Sequence, residues 1–155
     1  VLISLRRFLM KNLRISMFLF LLSLIFVSCE EDRIIYDGPT VVEFAPATAS
    51  IKKGTTATPG TYSAKIQLVG PQRDTDLVLD YAVDPASTAA TDQYTIEGTS
   101  GKVTIPAKSS FGYVKVNAVP DNIPSGTRTI VLLLQGNAEV RASENYKKFT
   151  LTITQ

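Results

Sequence analysis

The stretch "KFTLTITQ" (Lys148–Gln155) closes the 155-residue chain. Phe149, Leu151 and Ile153 alternate with Thr150, Thr152 and Thr154. That is a period of two, which a strand can sort onto two faces and a helix, repeating every 3.6 residues, cannot. The strand it predicts buries three apolar side chains and shows three β-branched hydroxyls to water. Upstream the same period returns. "TRTIVLLLQ" (127–135) is apolar on both faces, with Ile130, Leu132 and Leu134 against Val131 and Leu133, and predicts a central strand. "GYVKVNAV" (112–119) sets Val114, Val116 and Ala118 against Lys115 and Asn117. "GKVTIPA" (101–107) offers Val103 and Ile105, and "DLVLDYAV" (76–83) aligns Leu77, Leu79, Tyr81 and Val83. "TYSAKIQLVG" (61–70) sets Tyr62, Ala64, Ile66 and Leu68 against Ser63, Lys65 and Gln67. "TVVEFAP" (40–46) is a short strand closed by Pro46, expected at a sheet edge.

No part of residues 41–155 sustains a helical period, and Pro46, Pro59, Pro71, Pro85, Pro106, Pro120 and Pro124 all fall at strand ends or in loops. The gaps between strands are too short for helical crossovers, so pairing is expected to be mostly antiparallel. The prediction is an all-β sandwich of about seven to eight strands over residues 41–155, large enough to bury a core without disulfides. Residues 136–146 ("GNAEVRASENY") are expected to form a loop with a short helical turn.

Composition excludes most chemistry. The chain has no His, no Trp and one Cys. Without His there is no Ser-His-Asp triad and no ordinary general base near neutral pH. One Cys allows neither an intrachain disulfide nor a Cys-rich zinc site. No Gly-rich phosphate loop opens a helix. Asp80, Asp84, Asp92 and Asp121 lie at strand ends and turns, where solvated carboxylates are ordinary. The expectation is a protein that is not an enzyme. The net charge of +2 is also uneven: Arg6, Arg7, Lys11 and Arg14 occur in residues 1–28 without an acid, leaving the remainder at −2. A slightly acidic body gives no electrostatic basis for nucleic-acid binding.

Residues 1–28 read as a targeting segment. Lys11 and Arg14 precede Met17–Val27, eleven residues of which only Ser23 is polar. That length suits a signal-peptide core and is short of the roughly 20 residues of a membrane-spanning helix. Met10 is a better start than the residues before it, where Arg6-Arg7 lacks the polar context of a twin-Arg signal. The junction "IFVSC" resembles a bacterial lipobox, with Ser28 small as required and Phe26 and Val27 bulkier than usual. The resemblance implies a lipoprotein signal peptide over 1–28, cut before Cys29, which then carries diacylglycerol and an amide-linked fatty acid such as palmitate. Several chains make the anchor effectively permanent where one does not. Residues 29–40 form the lipidated Cys and a tether. Glu30, Glu31 and Asp32 resemble the acidic surface-export tag of lipoproteins in some anaerobic Gram-negative bacteria. The expected location is the outer membrane, lipid-anchored and facing the cell surface, with its periplasmic face as the alternative.

From residue 76 onward the order of features resembles the Calx-beta family of immunoglobulin-like sandwiches. The residues that carry it are "YAVDPASTAATDQYTIEGTSGKVTIPAKSS" (81–110), "YVKVNAVPDN" (113–122), "TIVLLLQGNAEV" (129–140) and "FTLTI" (149–153), with "VVEFAPATASIKKGT" (41–55) matching the opening strand and its Gly. Animal members bind calcium through acids at one end of the sandwich, which makes Asp84, Asp92 and Asp121 weak calcium candidates. The other positions have lost charge: Lys53 stands where a Glu is expected, Asn122 replaces the second acid, and "IPSGTR" (123–128) replaces an acidic turn. A calcium ion takes six to eight oxygens, several of them anionic. No cofactor is therefore expected, and the plainer reading of the three Asp residues is as turn formers.

The resulting expectation is a lipid-anchored surface module that binds or adheres to an extracellular protein or glycan. The alternatives are a structural accessory subunit of an outer-membrane assembly and a glycan-binding accessory protein. Tyr36, Tyr94, Phe111, Tyr113 and Tyr146 are the aromatic residues available for a platform, with Tyr94 and Tyr113 the ligand-binding candidates. Tyr113 shares a strand face with Lys115 and Asn117, which leaves it open to exposure, but the expectation for these rings as a set is that they pack at strand ends or cover the edge of the core.

Overall fold

The computed structural model describes residues 37–155. Cys29, Glu30, Glu31, Asp32 and Tyr36 therefore lie outside the described residues. Ten strands follow one another: β1 (Val41–Phe44), β2 (Thr48–Lys52), β3 (Thr61–Val69), β4 (Leu77–Val83), β5 (Tyr94–Ile96), β6 (Lys102–Ile105), β7 (Phe111–Ala118), β8 (Arg128–Gly136), β9 (Arg141–Ala142) and β10 (Lys148–Thr154). A 3-10 turn spans Pro120–Asn122.

The hydrogen-bonded path folds into two layers. One holds β1, β3, β7 and β5 in that order; the other holds β2, β10, β8, β4 and β6. β9 links the layers, pairing in parallel with β1 and, at Arg141, antiparallel with Gly136 of β8. The chain changes layer at Pro46: β1 pairs antiparallel with β3, whereas β2 pairs in parallel with β10. Every other pairing of named strands is antiparallel except β1 with β9.

The alternation read from the sequence is the alternation of burial. Phe149, Leu151 and Ile153 are sealed inside, as are Ile130, Leu132 and Leu134 of β8 and Val114, Val116 and Ala118 of β7. Phe149 bridges the layers: its ring centroid is 5.4 Å from that of Phe44 and 5.5 Å from that of Tyr62, against which it stacks. β8 runs between β4 and β10, so its two-faced apolar character reflects a central position.

Three expectations need correction. The strands number ten rather than seven or eight, because β2, β5 and β9, of five, three and two residues, exist through pairing with distant partners. Segments this short carry little periodicity to read. Residues 136–146 are more than a loop with one turn: besides the hydrogen-bonded turn at 144–146, where the Tyr146 N–H donates to the Ser143 carbonyl at 3.2 Å, they include the strand β9. There the Asn137 carboxamide oxygen accepts the backbone N–H groups of Glu139 and Val140 and turns the chain into β9. Finally, "TVVEFAP" is no edge: β1 lies between β3 and β9.

Candidate functional site

The outward face of β7 presents Phe111, Tyr113, Lys115 and Asn117, by the same alternation that buries Val114 and Val116. Tyr113 is 57% exposed and Phe111 40%. The β5–β6 connection (residues 97–101) follows β5 at the sheet edge beside β7. It separates two clefts. One, of about 350 Å³, is lined by Tyr113, Val78, Glu97, Lys102 and Thr104. The other, of about 420 Å³, is lined by Tyr94, Tyr81, Thr91, Ile96 and Ser100. The two tyrosines predicted as ligand contacts thus fall on opposite flanks of the connection, and the structure does not bring them together.

The first cleft is the more polar in its side chains and more exposed in its aromatic. Glu97 is held by two donors, Lys115 Nζ at 2.8 Å and Asn117 Nδ2 at 2.9 Å, both at Oε1. Those bonds pull its carboxyl below the ordinary glutamate range, the Lys115 bond contributing most. Lys102 pairs with Asp80, its register partner across β4 and β6. Lys65, opposite Tyr113 on β3, reaches instead over the Phe111 ring, 5.0 Å from its centroid. Phe111 is therefore partly covered by a cation, while the Tyr113 ring makes no ring or cation contact among the described residues.

Val78 completes the cleft and is 44% exposed. Sequence reasoning passed over it, though a signal exists: it is an apolar residue in the outward phase of β4, between the buried Leu77 and Leu79. Glu97, Lys102 and Thr104 carry no comparable signal, because their convergence depends on how β6 lies against β7. Gly112 permits that approach: a methyl group added there would stand 2.8 Å from the Thr104 carbonyl oxygen.

In the second cleft Tyr94 is half-buried, and burial pushes its phenol pKa up. Tyr81, buried deeper, is shifted the same way by desolvation, opposed by a Gly101 backbone bond. A raised pKa keeps both phenols protonated at neutral pH, as hydroxyls able to hydrogen-bond. Tyr146 is exposed, beyond β9.

Two of the three Asp candidates have their carboxylates engaged elsewhere. Asp84 Oδ1 accepts the Ala86 N–H at 2.9 Å, and its Oδ2 meets Lys148 Nζ at 2.9 Å. Asp121 Oδ1 accepts the Thr56 hydroxyl at 2.7 Å. Asp92 joins the same end of the molecule through its backbone carbonyl, which accepts Asn122 Nδ2 at 2.7 Å. Lys53 Nζ donates to the Ile123 carbonyl at 3.1 Å, placing an ammonium beside the 3-10 turn that holds Asp121. Among the described residues no group of three or more His, Cys, Asp or Glu side chains stands close enough to hold a metal ion.

No family model matches the sequence, and no curated protein matches it. Solved structures do match. The apo-form Calx CBD1 domain superposes with a TM-score of 0.58 at 13% identity, over 76% of this chain and 97% of that one. A Bacteroides ovatus protein whose suggested role is carbohydrate binding gives a TM-score of 0.58 at 8% identity, over 74% of this chain and 37% of that one. Bacteroides thetaiotamicron EndoBT-3987, crystallised with a Man5GlcNAc product, gives 0.55 at 11% identity, over 73% of this chain and 30% of that one. The chain spans well under half the length of these last two. At such identities the likeness is one of fold. It establishes a Calx-beta-like, immunoglobulin-like sandwich fold and no ligand.

Proposed function

We propose that this chain is a non-catalytic binding module, held on the outer membrane by lipid on Cys29 and facing the cell surface, that takes its ligand at the β6–β7 cleft. The observation that carries the reading is Tyr113, exposed beside the exposed Val78 in a cleft whose charged side chains are already held by internal bonds. An amphipathic ring displayed with ordered polar neighbours is the usual make-up of a recognition site. Glu30, Glu31 and Asp32 would direct the anchored protein outward. The non-catalytic reading draws on the absence of His, the usual general base near neutral pH, from the chain.

Two experiments test this. Cys29→Ala should move the protein from the membrane to the soluble fraction; a protein that stays in the membrane refutes the anchor. The full chain in detergent, probed with glycan arrays and with surface proteins, should retain a ligand that Tyr113→Ala releases. A competing role as a structural subunit draws on β2, which pairs with β10 and with no other named strand. Such an edge can add a partner's strand. Capture of a partner that depends on β2 and ignores Tyr113 would favour it.

A further inference from the structure

We infer that the β6–β7 cleft is a subsite for a neutral carbohydrate, one or two sugar rings in size, stacked on Tyr113; this rests on the binding reading above and names its ligand class. Three features of the cleft select the ligand.

The first is charge. Each ionised group at the cleft has its own counter-ion: Lys102 with Asp80, and Glu97 with Lys115. The four charges cancel. An anionic ligand would meet lysines already neutralised, and a cationic one carboxylates already neutralised, so the local field favours neither.

The second is the arrangement of polar groups around the ring. Lys115 and Asn117 both bond to Glu97 Oε1, and its Oε2 accepts no hydrogen bond from a described residue. The Thr104 hydroxyl and the Tyr113 phenol likewise make no hydrogen bond to a described residue. A pinned carboxylate acceptor and two hydroxyls suit a ligand rich in hydroxyl groups, and the pinning lowers the ordering cost of binding. The Tyr113 ring supplies the complementary half, a π-face whose negative quadrupole attracts the C–H-bearing face of a pyranose. Phe111 is less suited, since Lys65 stands over its ring.

The third is size. At about 350 Å³ the cleft lies at the low end of the roughly 300–1,000 Å³ typical of small-ligand sites. Its exposed apolar side chains are Tyr113 and Val78 alone. That is far less than the roughly 800 Å² per partner of a stable protein interface.

The test uses the full chain in detergent and neutral gluco-, manno-, xylo- and N-acetylglucosamine oligosaccharides. Because the protein has six Tyr and no Trp, tyrosine emission reports the titration directly. At least one series should bind. Tyr113→Ala should weaken it about tenfold or more, Tyr113→Phe should preserve most of it, and Tyr94→Ala should change it by less than about twofold. Affinity should be insensitive to salt, as expected of an uncharged ligand. Failure of every neutral series, undiminished binding by Tyr113→Ala, or tighter binding of polygalacturonate oligomers would overturn the inference. If the neutral sugars fail but wild type retains a surface protein that Tyr113→Ala releases, the binding reading survives without the carbohydrate. If neither is retained, both fall.

Discussion

Lys148 Nζ stands 2.9 Å from Asp84 Oδ2, joining the first residue of β10 to the residue that leaves β4. The same carboxylate caps a turn through the Ala86 N–H. Asp84 is consequently held below the ordinary aspartate pKa, first by the Ala86 bond and then by Lys148. A carboxylate whose folded pKa is depressed stabilises the fold above its unfolded pKa, near 3.9, and loses that contribution as pH falls through the folded value. Asp84→Asn keeps an acceptor for Ala86 and removes the charge. Its melting temperature should therefore fall less steeply than that of wild type as the pH drops below the ordinary aspartate pKa. Parallel acid limbs for the two proteins would show that Asp84 does not carry this dependence.

The calcium reading of Asp84, Asp92 and Asp121 leads to a prediction of its own. Two of these carboxylates already have partners, and the Lys53 ammonium lies beside the turn that holds Asp121. Neither millimolar calcium nor a chelator should shift the melting temperature. A calcium-dependent rise would mean that these acids converge on an ion despite Lys53.

Phe149 is fully buried and in ring contact with Phe44 and Tyr62 of the opposite layer. Phe149→Ala removes the bridge and leaves a cavity, at a cost of about 3–5 kcal/mol. Urea unfolding should show the loss as a lower midpoint with an unchanged slope. A change below about 1 kcal/mol would mean that the layers collapse around the gap.

Gly112 allows β6 and β7 their close approach. A methyl group there meets the Thr104 carbonyl oxygen at 2.8 Å and Ile105 Cγ1 at 3.0 Å. Gly112→Ala should cost about 1–3 kcal/mol through overpacking, and it should also weaken any ligand taken at Tyr113, because one wall of the cleft moves. Unaltered binding in a destabilised variant would separate the cleft from this packing contact.

Much of the fold is legible in the chain because the alternation of side chains along a strand is local. The inward residues of β3, β4, β7, β8 and β10 follow from sequence. The candidate site is less legible. Val78 leaves a trace as an apolar residue in a polar phase, whereas Glu97 and Lys102 are indistinguishable from other surface charges until the strands are placed.

Strand type and the choice of inward face were thus written in residues one or two apart, where pleating alone sorts apolar from polar. Tertiary structure settled which strands are neighbours. It carried β2 across to β10, placed β1 between β3 and β9, and set Tyr94 and Tyr113 in separate clefts. These outcomes depend on contacts such as Thr56 with Asp121, 65 residues apart, and Lys53 with Ile123, 70 apart. Such contacts form only when two layers close over a shared core, and no local pattern encodes them.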